Sequence, residues 1–301
     1  IYKAGTFNKR EYIFNNLQKY ETFSLNTNIN HFETDGYRDE NESQQNNYTS
    51  QIIIPNETGD HFFSLNINEQ IMSTPSDRSQ TELYSDRRGS DTPHDYIRSL
   101  GHSILYTKKY EVNKDIGFVL SSSIRNKYSY SDLQTSASYP SYNETVTYNY
   151  QLTPRLNQNF NFFNYNSNIS YGLDILYADY DSKRKKYSTA IPKHTYNAWQ
   201  STFASYAQQE IELKNFKLGA GIRAQRNSIG IGDILNKNAP DYSNWDSEHG
   251  TFKDDQVNYS YNLGFETENN NLFNFYGRLG NGFRYPNIDE RIGGSGGTSW
   301  L

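Results

Sequence analysis

The strongest regularity in this chain is alternation with a period of two. Between Phe216 and Ala224 the apolar positions are Phe216, Leu218, Ala220, Ile222 and Ala224, and Lys217, Gly219, Gly221 and Arg223 lie between them. Val257, Tyr259, Tyr261, Leu263 and Phe265 alternate in the same way with Asn258, Ser260, Asn262 and Gly264. The sets Ile169, Tyr171, Leu173, Ile175, Tyr177; Phe63, Leu65, Ile67; and Phe23, Leu25, Thr27, Ile29 repeat it. Side chains of a strand point to opposite faces in turn, so each run predicts a strand with one apolar and one polar face. The runs are about 9–13 residues, enough for a tilted strand to cross the hydrocarbon of a membrane. Strands of soluble domains are shorter, about 5–6 residues.

The pattern predicts strands over residues 7–16, 20–31, 46–54, 61–72, 99–111, 115–126, 144–163, 168–180, 197–213, 216–229, 256–267 and 272–282. Their connections alternate in length. Those around 17–19, 55–60, 112–114, 164–167, 214–215 and 268–271 are brief, and those around 32–45, 73–98, 127–143, 181–196 and 230–255 are long and polar. Short turns at one end and long loops at the other are how outer-membrane barrels are built, the turns periplasmic and the loops extracellular. No fixed-period sequence repeat suggests a propeller or solenoid.

Composition sharpens this picture. Only 34% of residues are hydrophobic and the mean hydropathy is -0.92, poor material for a buried core. Yet 27 Tyr, 17 Phe and 3 Trp are too many aromatics for a disordered chain. A transmembrane barrel reconciles the two, because only alternate residues need be apolar and aromatic girdles sit at both interfaces. The 29 Lys+Arg and 34 Asp+Glu are interspersed, for a net charge of -5, and no basic tract points to nucleic acid. There is no cysteine, so neither a disulfide framework nor a Cys-based metal site is expected. No apolar run approaches the ~18 residues of a membrane helix. The chain starts at Ile1 without a leader and stops just after the glycine-rich loop Gly293–Thr298. An open sheet edge in lipid leaves backbone groups unsatisfied, so both ends are expected to be cuts through a larger barrel.

Several segments resemble a family. Phe283-Arg284-Tyr285-Pro286-Asn287, followed by Glu290, resembles the Phe-Arg-Ala-Pro-Asn box of TonB-dependent outer-membrane receptors, with Tyr285 where the family usually has Ala. Asn262-Leu263-Gly264-Phe265-Glu266 is similar to the strand before that box. Tyr206-Ala207-Gln208-Gln209-Glu210-Ile211 with Leu218-Gly219-Ala220-Gly221-Ile222-Arg223 is similar to the hairpin before it, and Ile169–Asp174 to the preceding strand. Asp35-Gly36-Tyr37-Arg38-Asp39 and Pro75 resemble an early barrel region. The matches run in family order from residue 35 to 290. The resemblance implies an all-β, antiparallel transmembrane barrel, of which residues 1–301 would supply about twelve of about 22 strands. It places the plug, the TonB-contacting segment and the last strands outside this sequence. It also implies the activity: capture of a scarce, large nutrient, usually a ferric siderophore, haem or cobalamin, and uptake driven by the TonB complex. The chain would then sit in outer-membrane lipid, need no cofactor and catalyse nothing. The alternative is a passive porin-like barrel.

Candidate site residues follow. On the long loops, Tyr84, Arg87, Arg88, His94, Tyr187, His194, Tyr242, Trp245 and His249 could stack on and pair with an anionic chelate. Of these, Arg87, Arg88, Tyr242, Trp245 and His249 are the expected ligand contacts. Lys217, Arg223, Glu266 and Arg278 must face the lumen, because Lys or Arg turned to lipid near the midplane costs roughly 2–4 kcal/mol; contact with the plug is their expected role. In the box, Arg284 and Asn287 are expected to bond barrel wall or loop, with Pro286 ending the ladder because it lacks an N–H. Gly293-Gly294-Ser295-Gly296-Gly297 matches a nucleophile-elbow pattern, but no helix pattern follows it. Gly219-Ala220-Gly221 lies within an unbroken strand alternation, unlike a dinucleotide fingerprint.

Overall fold

The computed structural model describes residues 1–75, 77–92, 94–133, 140–240, 250–267 and 273–292. Among the described residues, thirteen strands form one antiparallel sheet in which every strand pairs with its sequence neighbours. They are β1 (Tyr2–Ala4), β2 (Arg10–Lys19), β3 (Ser24–Thr34), β4 (Ser43–Ile54), β5 (His61–Ser73), β6 (Tyr96–Asn113), β7 (Ile116–Leu133), β8 (Ser141–Phe162), β9 (Tyr165–Lys185), β10 (His194–Glu212), β11 (Phe216–Leu235), β12 (Thr251–Thr267) and β13 (Tyr276–Gly280). Two short helices, α1 (Gln80–Ser85) and α2 (Ile288–Ile292), follow β5 and β13. Short turns such as 114–115 and 163–164 gather at one end of the sheet, and longer connections such as 35–42 and 186–193 at the other.

Register separates two faces. The rows Phe14–Ile29–Tyr48–Ile67 and Leu65–Ile104–Ile124–Tyr150–Tyr177 lie on one face. With them go Ile222, Tyr261, Leu263 and Leu279, exposed by 48–66% of their surface. The opposite face is polar and bonds to itself. Thr49 donates to Asn66 at 2.9 Å, Ser170 to Asn157 at 2.7 Å, Asn168 to Asn159 at 2.6 Å, and Gln200 and Thr202 to Asn227 at 2.9 and 2.8 Å. Short polar side chains on adjacent strands satisfy one another across the rows, so this face needs no apolar layer over it.

The strands are longer than the alternation predicts. β7 runs on to Leu133, β9 to Lys185 and β11 to Leu235, β10 begins at His194 and β12 at Thr251, so much of the expected loop sequence is strand. The reason is visible on the apolar face. Above Tyr177 the positions on that side of β9 are Asp179, Asp181 and Lys183, above Ala224 on β11 they are Arg226 and Ser228, and above Val257 on β12 they are Asp255 and Lys253. The outer face turns polar there, so the alternation that marks the lower strands is lost and backbone pairing continues beyond it. Arg226 grips Asp255, Nε to Oδ1 at 2.9 Å, on this upper band. β1, only three residues long, was too short to show a period. β13 covers Tyr276–Gly280 rather than the expected 272–282.

Candidate functional site

The polar face carries all four charged residues that the sequence assigns to it. Lys217 pairs in register with Glu266, and Arg278 lies opposite Gly264 in the adjoining row. Arg223 is the best held. Its Nη1 lies 2.5 Å from Asp174 Oδ2 and its Nε donates to Gln225 at 3.0 Å. Its guanidinium sits 6.0 Å from the centre of the Tyr206 ring. Tyr206 in turn lies across Gly172, where an added Cβ would come within 2.7 Å of the Tyr206 hydroxyl. The glycine thus lets a large ring lie flat against the sheet and orient the arginine.

At the long-loop end the same face changes character. Tyr180, Tyr196, Ala198, Ile229 and Ile231 form a buried apolar patch, covered by Ile288 and Ile292 of α2. Burying those two isoleucines contributes about 1.5–3 kcal/mol each, which is what draws the segment after β13 back over the sheet. Beside the patch His194, fully buried, meets Asp233 through Nδ1 at 2.9 Å and stacks on Tyr196. The sequence reading took His194 for a loop residue. It missed the patch as well, although a signal existed: on β11 the apolar residues occupy even positions up to Ala224 and odd positions at Ile229 and Ile231. β9, β10 and β12 switch likewise at Tyr180, at Tyr196 and Ala198, and at Phe252.

Of the two bonding partners expected for the box residues, wall or loop, Arg284 and Asn287 take the second: Arg284 pairs with Glu290, and Asn287 caps α2, its Oδ1 accepting from Glu290 N at 2.8 Å while Asn287 N donates to Glu290 Oε2 at 2.9 Å. This reciprocal cap satisfies helix-start donors within the segment itself. The Asn287 N–H and then the Arg284 guanidinium hold the Glu290 carboxyl below the ordinary glutamate range. The residue that reaches the wall is Tyr285, whose hydroxyl accepts from Asn258 at 2.8 Å and lies 3.3 Å from the carbonyls of Gln225 and Gln256. Pairing of β13 ends at Gly280, so Pro286 is not what ends the ladder.

The loop candidates are scattered. Arg88 packs its guanidinium 5.9 Å from the ring centre of Phe7 and 5.8 Å from that of Tyr37, and its carbonyl accepts from Asp39 N at 2.8 Å. Arg38 donates to Gly89 O at 3.0 Å. These contacts tie connection 74–95 to connections 5–9 and 35–42. Within it, Ser79 and Glu82 form a capping box on α1, and hydrogen bonds from Ser79 lower the Glu82 carboxyl. Arg87, Tyr84 and Tyr187 are exposed, and His94 adopts a left-handed backbone with φ 75°. Tyr242, Trp245 and His249 lie outside the described residues. Among the described residues no group of three or more His, Cys, Asp or Glu side chains is placed to hold a metal.

Comparison with known proteins fits this geometry. Residues 24–300 match the family model described as TonB dependent receptor-like, beta-barrel. A search of curated proteins found no match. Solved structures agree in fold. The unliganded ferric citrate transporter FecA superposes with a TM-score of 0.79 at 12% identity, over 93% of this chain and 42% of that one. The open form of the ferric-catecholate import receptor Fiu from E. coli K12 gives 0.72 at 11%, over 93% and 53%. The ferric yersiniabactin uptake receptor FyuA from Yersinia pestis gives 0.72 at 13%, over 91% and 45%. The chain therefore spans about half the length of the structures it matches.

Proposed function

Because the chain belongs to the TonB-dependent receptor β-barrel family, we propose that it is the wall of an outer-membrane receptor that captures a metal chelate, a ferric siderophore foremost, and imports it with energy from the TonB complex. The observation that carries this reading is the two-faced sheet: an exposed apolar face suited to lipid and a self-bonded polar face suited to a wet lumen. Lys217, Arg223, Glu266 and Arg278 stand on the polar face, where a plug supplied outside residues 1–301 would meet them. Arg87 and Arg88, with Tyr242, Trp245 and His249 from outside the described residues, are the proposed contacts to an anionic chelate. The iron preference rests on the cargoes named for FecA, Fiu and FyuA.

The test is uptake of a panel of radiolabelled ferric chelates by cells with and without the gene. The reading expects one chelate class to be accumulated only by cells carrying it, and accumulation to stop when TonB is deleted or the proton gradient is collapsed. Entry that persists without TonB would indicate a passive pore and overturn the reading.

A further inference from the structure

We propose that Lys108, His61 and Tyr106 form a binding site for the phosphate of a membrane phospholipid on the apolar face, at the short-turn end of the sheet. The proposal rests on the membrane reading above and adds a ligand to a surface that import does not use. Lys108 Nζ donates to Gly59 O at 3.1 Å and to His61 Nε2 at 3.0 Å, and His61 Nδ1 lies 3.1 Å from Tyr106 Oη. An ammonium only donates, so Nε2 must accept, which puts the ring proton on Nδ1 and makes Tyr106 Oη its acceptor. The Tyr106 hydroxyl hydrogen and the remaining Lys108 hydrogen are then available to an outside acceptor. Phe63 stacks on Tyr106 at 4.9 Å between centroids and braces the group.

The charge of Lys108 is unusual where it stands. Register puts it level with Ile54, His61, Leu120 and Pro154 on the apolar face. Among the described residues of β3–β12, it is the one charged side chain on that face below the upper charged band. Its partners, a carbonyl and a neutral imidazole, leave its charge uncompensated, and no carboxylate of the described residues lies within ion-pair distance of it.

Its height fits a headgroup. Arg98, bonded to Glu69 in the upper band, and Lys108 lie on the same strand and face with Leu100, His102, Ile104 and Tyr106 between them. Ten residues at about 3.3 Å each make roughly 33 Å along the strand. At a tilt of about 40° that is roughly 25 Å along the membrane normal, the height of the apolar band of such barrels. Lys108 thus reaches the level of the periplasmic-leaflet phosphates, and Tyr110 and Val112, both exposed, lie just beyond it. A cation of this kind turns toward the interface and takes its counter-ion from the lipid.

The experiment uses the full-length receptor inserted into phosphatidylglycerol vesicles or into galactolipid vesicles, then extracted, with retained lipids counted by native mass spectrometry. The expected result is one phosphatidylglycerol held by the wild type, occupancy lowered about fivefold in Lys108→Gln, and near-wild-type retention in Lys108→Arg. Galactolipid should not be held, and inorganic phosphate should not displace the phospholipid. Equal retention in Lys108→Gln, equal retention of galactolipid, or displacement by free phosphate would each overturn the proposal. Should Lys108→Gln not fold, the contrast of the two lipids on the wild type still decides. Failure to become protease-protected in either vesicle is a separate readout and would sink the membrane reading itself.

Discussion

Lysine substitution at Ile222 separates a bilayer-facing sheet from one that faces water. Ile222 stands within the apolar stretch of β11, four residues below Arg226, 66% exposed, paired with Ala207 and Tyr261 on the apolar face. If water covered that face, Ile222→Lys would be a surface change worth within about 0.5 kcal/mol. In a bilayer it places an ammonium near the midplane, at a cost of roughly 2–4 kcal/mol. The cost depends on depth, so Val257→Lys, one outward position below Asp255, should cost only about 0–1 kcal/mol. Asn149→Lys, on the polar face of β8, should stay within about 0.5 kcal/mol. Denaturant titration of the full-length receptor in vesicles, read by heat-modifiable gel mobility, gives the three values. The expected order is Ile222→Lys well above the other two. Three equal costs would refute the assignment of this face to lipid.

Three further outcomes follow from local geometry. Tyr285→Phe removes the hydroxyl that Asn258 bonds and should loosen residues 281–292 by about 1 kcal/mol, seen as roughly fivefold faster amide exchange there; unchanged exchange would show that the α2 contacts alone hold the segment. Arg88→Ala should free connection 74–95 from Phe7 and Tyr37, a loss of about 0.5–1 kcal/mol per ring contact; limited proteolysis should then cut it faster, and an unchanged rate would contradict the packing described. The lowered Glu82 carboxyl means that its contribution to the α1 cap is present above the ordinary glutamate range and lost as the pH falls through the folded value. Exchange at residues 79–86 should therefore rise on acidification, and Glu82→Gln should remove most of that rise; an identical acid response in Glu82→Gln would point to another group.

Legibility in the sequence followed the solvent contrast. Where an apolar face alternates with a polar one, as along Phe216–Ala224 or Val257–Phe265, the pattern revealed the strand and its two faces. Where the outer face turns polar, as along Asp179–Lys185, the strand was hidden, because only Tyr180 on the inner face interrupts a run of polar residues and one apolar residue shows no period. The inner apolar patch was legible in principle as a change of parity between Ala224 and Ile229, but Ile229 and Ile231 resemble any short apolar pair until Tyr180, Tyr196 and α2 are brought beside them. The cap formed by Asn287 and Glu290 follows a helix-start spacing, yet five helical residues are too few to show a period of their own. Tyr285, the departure from the family box, proved to be one of the residues that fasten the segment to the wall, beside Ile288, Ile292 and Arg291, and only the register of β11 and β12 could reveal that.

Nitroxide scanning of β11 tests the two-faced wall most directly, with single cysteines introduced at each residue from 216 to 233 of a receptor freed of any other cysteine; residues 1–301 contribute none. The account predicts collisions with membrane-dissolved oxygen at even positions from 216 to 224, little at the odd ones, and loss of that lipid signal from 226 upward, with 229 and 231 shielded from both oxygen and a water-soluble relaxant. Water-soluble relaxant reaching 218, 220 and 222 as freely as 226 would contradict it.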